Sequence, residues 1–495
     1  MHLTSETFDQ NARVALRDEQ LQQALQNLAV TFGERRKLAV LAVDDWEELR
    51  ERARSIKEKT LLRLDVYLEQ FAEQAEKAGA TIHWARDGAE ACSLILELIN
   101  ADGARQIVKS KSMATEEIHL NDALEAAGIW PVETDLGEWI IQLAGEAPSH
   151  IVVPAIHKTK NQIAELFCEK VGIERTDDVA ALTGAARDFL RSRFANAEVG
   201  ISGVNFGIAE TGTILVLENE GNIRLTTSLP KRHIALMGIE KVIPKLADLD
   251  VFLKLLPRSG TGQKLTTYQS LITGTKRKPA DEGPDEVHIV LMDNGRSRML
   301  SHPVTRQGLA CIRCGACLNA CPVYQQIGGH AYGSVYPGPI GAVITPQLVG
   351  LQTTKQLPYA SSLCGACREV CPVKIDIPAI LLHLRGEVAD GPENSSARDA
   401  GSTPKLTERI AFRLFGIAWR SPLLYRLGIV LGRLLQRAFM NNGRIPGTAH
   451  FIFKGTTPID AWTDERDAPS IAPKSFREIW NAELKKHDDA VQAPE

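Results

Sequence analysis

The sequence predicts an α/β domain, followed by a helical domain with closely spaced cysteines and then a helical C-terminal segment. Three observations predict this. Strand-like apolar runs alternate with helix-period stretches through the first half of the chain. Seven of the nine cysteines fall in the 61 residues from Cys311 to Cys371. Beyond the polar stretch at 294–303 strand-like runs become sparse and the composition shifts. A chain of 495 residues with 44% hydrophobic content buries more than one core, and at about 150 residues per domain its length suggests roughly three domains.

Residues 1–60 read as an N-terminal helical segment. The helical pattern runs on to Gly79, with Leu49, Ala53, Ile56, Thr60, Leu64, Phe71 and Ala75 recurring near a 3.6-residue period. The α/β domain is placed at 61–297. Within it, 80–85 and 106–110 are predicted strands flanking a helix from Asp87 to about Asn100. The apolar runs at 150–157, 212–218, 233–238 and 287–292 read as further buried strands. LENEGNIRL at 217–225 has turn residues between apolar runs, which predicts a hairpin. A cysteine domain at 298–386 follows. The Gly, Ser, Pro and acid-rich segment 387–404 is predicted to be a mobile linker, and 405–495 a helical C-terminal segment.

A formal net charge of −4 and a pI near 6.3 give no general attraction for nucleic acid. The N-terminus lacks the basic and apolar pattern of a secretory signal, and no stretch of about 18 uncharged apolar residues occurs. The chain is therefore read as cytoplasmic, with a peripheral position at the inner membrane face as the alternative.

Dense, short-spaced cysteines in a reducing compartment serve more often as metal ligands than as disulfides. Cys311-x₂-Cys314-x₂-Cys317-x₃-Cys321-Pro322 matches the ligand run of bacterial-type ferredoxins, in which three thiolates converge on one cubane and the fourth points to a neighbouring cluster. Cys364-Gly-Ala-Cys367-x₃-Cys371-Pro372-Val373 repeats Cys314-Gly-Ala-Cys317-x₃-Cys321-Pro322-Val323 at an offset of 50 positions. The same offset carries Cys311 onto Ser361, so the second copy lacks its first cysteine.

The cross-over rule assigns Cys311, Cys314, Cys317 and Cys371 to one 4Fe-4S cluster, and Cys321, Cys364 and Cys367 to a second cluster one thiolate short. Its fourth position is open to Ser361, Ser362, solvent, a partner's group or a three-iron form. Structural zinc is the competing reading, but zinc sites usually pair two C-x₂-C knuckles. The 42 residues between Cys321 and Cys364 exceed a minimal ferredoxin, which predicts clusters held between helices of a helical ferredoxin-like domain. Cys92 and Cys168 stand alone and are read as small buried residues.

With these motifs the whole chain resembles the lactate utilization protein B family, the iron–sulfur subunit of a three-protein complex. Besides the cysteines, the resemblance rests on 108–124 (VKSKSMATEEIHLNDAL), 200–225 (GISGVNFGIAETGTILVLENEGNIRL) and 229–244 (LPKRHIALMGIEKVIP). It implies an α/β domain with the fold of coenzyme A transferases and sugar-phosphate isomerases. It further implies two clusters on the seven cysteines, one of them ligated by three. The task implied is oxidation of L-lactate to pyruvate, supporting growth on lactate, with this subunit relaying electrons to partner subunits or a quinone-side acceptor.

Other positions read more plainly. Glu210 in AETGT invites comparison with the glutamate nucleophile of coenzyme A transferases, but a turn or cap role is the simpler reading. An acyl or coenzyme A transferase with structural clusters is thus the competing class of function, and an iron–sulfur subunit for another 2-hydroxy acid such as glycolate is a third. Lys109, Ser110 and Lys111 read as a solvated loop, with an anion-facing role as the alternative. No Gly-rich dinucleotide fingerprint follows a strand, and no catalytic residue is assigned. From Lys405 to Arg444 eight basic residues stand against Glu408. Beyond Pro422 the spacing predicts a basic amphipathic helix, with Arg426, Arg433 and Arg437 on one face, suited to docking on a partner subunit or on anionic lipid.

Overall fold

Four helices open the chain: α1 (Phe8–Ala15), α2 (Glu19–Leu41), α3 (Trp46–Leu61) and α4 (Leu64–Lys77). In the computed structural model the described residues are 3–390 apart from 102 and 279, together with 406–437, 440, 444–445 and 468–484. Asp18 starts α2 by accepting the Leu21 N–H at 2.9 Å. The predicted apolar stripe is the buried one: Leu49, Ala53, Leu64, Phe71 and Ala75 are at most 3% exposed. Burying a side chain such as Leu49 or Phe71 contributes about 1.5–3 kcal/mol, which is what holds these helices to the rest of the core.

Between residues 81 and 292 ten strands follow in chain order: β1 (Thr81–Ala85), β2 (Ile107–Lys109), β3 (Pro131–Glu133), β4 (Val199–Gly203), β5 (Phe206–Ile208), β6 (Thr213–Glu218), β7 (Arg232–Gly238), β8 (Val242–Ile243), β9 (Tyr268–Ile272) and β10 (Glu286–Met292). Six form a parallel sheet in the order β1-β10-β7-β4-β2-β3. The other four form a mixed sheet in the order β8-β5-β6-β9.

A central parallel strand is buried on both faces, and the two-residue period divides its side chains between two cores. Ile234 and Leu236 of β7, with Val290 and Met292 of β10, face one core beside the helix Gly88–Asn100. Ala235, Met237, Ile289 and Leu291 face the other, which they share with α3, α4, the second sheet and the cysteine loops. The cysteine region is thus built onto the same apolar core as the α/β part. Between its two loops the chain is helical, with Gly338–Val349 the longest element.

Several expectations change. Residues 150–157 form turns instead of a strand, because His150 Nδ1 accepts the N–H groups of Val152 and Val153 at 2.9 and 3.1 Å and curls the backbone there. Residues 217–225 are not a hairpin: β6 ends at Glu218 and a helix runs over Asn222–Ser228. Gly221, at φ +81°, makes the turn, and the Glu218 carboxylate accepts the Ile223 and Arg224 N–H groups at the helix start. Cys92 is buried, whereas Cys168 is only partly so.

Lys109 and Ser110 are not in a solvated loop; both are fully buried. Lys109 Nζ lies 2.7 Å from Glu133 and 3.2 Å from Glu116. Burial opposes its charge, but the two carboxylates prevail and hold the ammonium pKa above its ordinary value. Lys111 is 16% exposed and faces Glu138 at 3.5 Å.

The chain divides into compact units at 1–402 and 403–495. The helix Ile377–Asp390 takes in the first residues of the predicted linker, whose remainder, 391–404, lies outside the described residues. In the second unit the helices Leu406–Arg420 and Pro422–Gln436 are joined at Ser421, whose Oγ accepts the Leu424 N–H at 3.4 Å. Leu427, Val430, Leu431, Leu434 and Leu435 stand 52–58% exposed. Among the described residues no single helix is long and apolar enough to cross a membrane, and only Ile410–Arg420 with Pro422–Gln436, bent by 108°, reach that composition as a pair.

Replacing Lys109 by Met leaves Glu133 buried without its cation, and the expected cost is about 3–5 kcal/mol. A lowered urea midpoint of the folded chain checks this, and an unchanged midpoint contradicts it.

Candidate metal centre

The two cysteine loops repeat in backbone as well as in sequence. Arg313 and Gly315 take φ of +60° and +78°, and fifty positions on Leu363 and Gly365 take +55° and +87°. Short helices start after each, at Ala316–Asn319 and Ala366–Glu369. A left-handed residue on either side of Cys314 and of Cys364 lets each loop curl so that successive thiols turn inward.

Cys311, Cys314, Cys317 and Cys371 line one small cavity, closed by Ile340 and Val373. Burial and the neighbouring cysteines push the Cys314 and Cys317 thiols well up, and burial lifts Cys371 to about 11. Backbone N–H groups point at these sulfurs: Arg313 N lies 3.4 Å from Cys311 Sγ, and Ile375 N lies 3.3 Å from Cys371 Sγ. Such contacts stabilise thiolate charge and tune cluster potentials.

Cys321, Cys364 and Cys367 form the other group. Burial, then Cys321, raises Cys367 to about 12, while Cys321 is raised by burial and by Cys364. Cys364 is exposed, and its thiol is lowered by the Ala366 N–H and by Ser362. Ser361 Oγ accepts the Leu363 N–H at 3.1 Å. Among the described residues no three His, Cys, Asp or Glu side chains converge as a single ion requires. A cubane takes one cysteine sulfur at each iron, and four thiols around one small cavity are compatible with that.

The N-terminal helices clamp the second loop. Arg50 on α3 donates to the Cys371 carbonyl from Nε and Nη2, at 3.1 and 2.9 Å, and to Glu369 O at 2.9 Å. Arg36 on α2 donates to Val370 O at 3.2 Å, and Lys374 pairs with Glu47 and Glu51 of α3. The first loop is held from the sheet side. Asn319 is the hub, donating to Gly260 O at 3.2 Å while its Oδ1 accepts from His150 Nε2 at 3.0 Å. Burial lowers His150 to about 3, so the ring is neutral, and with Nδ1 accepting backbone N–H groups the proton sits on Nε2.

At the carboxyl ends of β2, β4 and β7 lies a second, larger cavity of about 290 Å³. A buried ion network forms its floor. Arg296 grips Glu117 through two N–H···O contacts of 2.8 Å, and also donates to Glu240. Arg313 reaches Glu240 at 3.4 Å and lies over the Tyr336 ring at 4.8 Å. Burial alone would raise the Glu240 carboxyl, but Arg296 and Arg313 hold it at about 2. Burial lowers Lys241 to about 8.

Sequence reasoning missed Glu117, Lys241, Glu240 and Arg296. The available signal was charge inside apolar sequence, as in Gly238-Ile-Glu240-Lys241-Val. Glu210 does not line this cavity; it is exposed and its carboxylate accepts the Leu246 N–H at 2.9 Å, which is the cap role.

Comparison with known proteins agrees with this organisation. The LUD domain family matches residues 68–292, the 4Fe-4S dicluster domain 307–375, and the family described as lactate utilisation protein B, C-terminal, 383–485. Lactate utilization protein B of Shouchella clausii is 43% identical over 484 residues, covering 97% of this chain and 98% of the relative. Those of Bacillus cytotoxicus and Bacillus anthracis are 41% and 40% identical over 489 residues, covering 99% of both chains. A DUF162 family protein from Deinococcus radiodurans aligns with 46% of this chain and 98% of its own at 12% identity and a TM-score of 0.27, too low to bear on the fold. On its full-length identity to these relatives, and on the three family matches in their order, the chain belongs to the lactate utilization protein B family.

Proposed function

We propose that the protein is the iron–sulfur electron-transfer subunit of an assembly that uses lactate, oxidising L-lactate to pyruvate. The observation that carries this reading is the division of seven thiols into four that line one cavity beside the α/β core, all but the partly exposed Cys311 buried, and three that reach the surface at Cys364. Cys311, Cys314, Cys317 and Cys371 would hold the first cubane, and Cys321, Cys364 and Cys367 the second. Such clusters supply one-electron transfer when bound. The chain's own residues set the conditions: Ile340 and Val373 keep water from the inner set, while the N–H groups of Arg313 and Ile375 bias its sulfurs toward charge.

The names of the full-length relatives supply lactate as the substrate of the system, and the family name implies companion proteins. The exposed leucines of Pro422–Gln436, with Arg426 and Arg437 beside them, make this helix the docking face for a companion subunit. A transferase reading is disfavoured by Glu210, whose carboxylate is engaged by backbone at an exposed turn.

Anaerobically purified protein is expected to hold about seven to eight irons per chain, and zinc in their place after reconstitution would end the proposal. Cys371→Ser should remove roughly half of that iron and abolish lactate-dependent cluster reduction in the reconstituted assembly. Glu210→Ala, a surface change, should leave the reduction rate within about twofold. Loss of activity in Glu210→Ala with iron intact would instead favour transfer chemistry.

A further inference from the structure

The larger cavity is lined by cations whose hydrogen-bonding capacity is not used up. Arg313 is 9% exposed, yet its Nη1 has no hydrogen-bond partner. Lys111 Nζ is likewise buried without a hydrogen bond, its nearest carboxylate oxygen being 3.5 Å away on Glu138. Lys241 adds a third positive charge to the same wall. A buried donor left unsatisfied costs about 1–3 kcal/mol, more when charged, so a ligand that satisfies it binds with that advantage.

The carboxylates around the cavity are already engaged. Glu240 is gripped by Arg296, Glu218 accepts the Ile223 and Arg224 N–H groups, Asp135 accepts the Glu138 N–H, and Glu220 accepts the Leu136 N–H. Each of these carboxylates thus holds at least one hydrogen bond, whereas Arg313 Nη1 and Lys111 Nζ, both buried, hold none. The place is also the expected one, since open parallel sheets take ligands outside the carboxyl ends of their strands. At about 290 Å³ the space is at the small end of ligand cavities and suits a molecule of a few heavy atoms.

We infer that this cavity binds one small carboxylate anion of the short 2-hydroxy acid class, with Arg313, Lys241 and Lys111 as the residues that recognise its carboxylate. The planar fork of Arg313 matches the two oxygens of a carboxylate. The choice of a carboxylate over another small anion rests on the lactate reading above. The Arg313 backbone N–H points at Cys311 Sγ at 3.4 Å, so a molecule held by its guanidinium lies beside the first thiol set.

The test is calorimetric titration of the anaerobically prepared full chain, clusters loaded, with L-lactate and separately with inorganic phosphate. The expected result is one lactate per chain, weakened about tenfold or more in Lys241→Gln, Lys111→Gln and Arg313→Gln, with phosphate binding more weakly than lactate. Arg313 adjoins a cysteine, so if Arg313→Gln loses iron the two lysine variants decide. Iron-replete protein with no saturable lactate binding, lysine variants that bind as the parent does, or preference for phosphate each overturn the inference. A chain that takes up no iron yet binds lactate at this site defeats the electron-transfer reading and leaves the cavity assignment standing.

Discussion

Glu240, a carboxylate with 1% exposure, is the charge around which the interior is arranged. It follows the end of β7, the central strand of the parallel sheet next to β10, and a bare carboxylate there would be prohibitively costly. Its partners come from three directions: Arg296 after β10, Arg313 in the first cysteine loop, and Lys57 of α3, which donates to its backbone carbonyl. Arg296 and Arg313 together compensate the carboxylate and Lys57 satisfies the adjacent carbonyl, so these contacts tie the sheet, the N-terminal helices and the cysteine loop to one point. The cavity above the sheet inherits its shape from those contacts.

The two groups of thiols follow from loop geometry more than from packing. Each loop has left-handed backbone on both sides of one cysteine, Cys314 between Arg313 and Gly315 in one copy and Cys364 between Leu363 and Gly365 in the other. Glycine takes this conformation at no steric cost, whereas Arg313 and Leu363 do so against preference. For Arg313 the compensation is visible in its contacts with Cys311, Glu240 and Tyr336.

What sequence revealed, and what it concealed, divides along the range of the interactions involved. The cysteine run is short-range chemistry within each loop, and the repeat at an offset of 50 positions points to two loops that meet; Cys311, Cys314 and Cys317 of the first line one cavity with Cys371 of the second. The runs at 233–238 and 287–292 were legible as strands because a fully buried strand is continuously apolar. The run at 150–157 is equally apolar, but one imidazole accepting two backbone N–H groups bends it away from any sheet. Lys109 misled for a different reason. Glu133 meets it only because β2 pairs with β3, and Glu116 only because the helix Met113–Glu117 folds back over the strand end, so its charge looked like a sign of solvent. The cavity at the strand ends was illegible on the same ground, since its walls come from loops that only the completed sheet assembles.

The grip of Arg50 on the Cys371 carbonyl joins positions 321 residues apart. During translation α3 leaves the ribosome long before the loop it must hold, and contacts of such separation form late. The early helices therefore wait, incompletely anchored, for the cysteine segments to arrive. The amino-terminal layer is thus fully anchored only once the second cysteine loop is in place beneath Arg36 and Arg50.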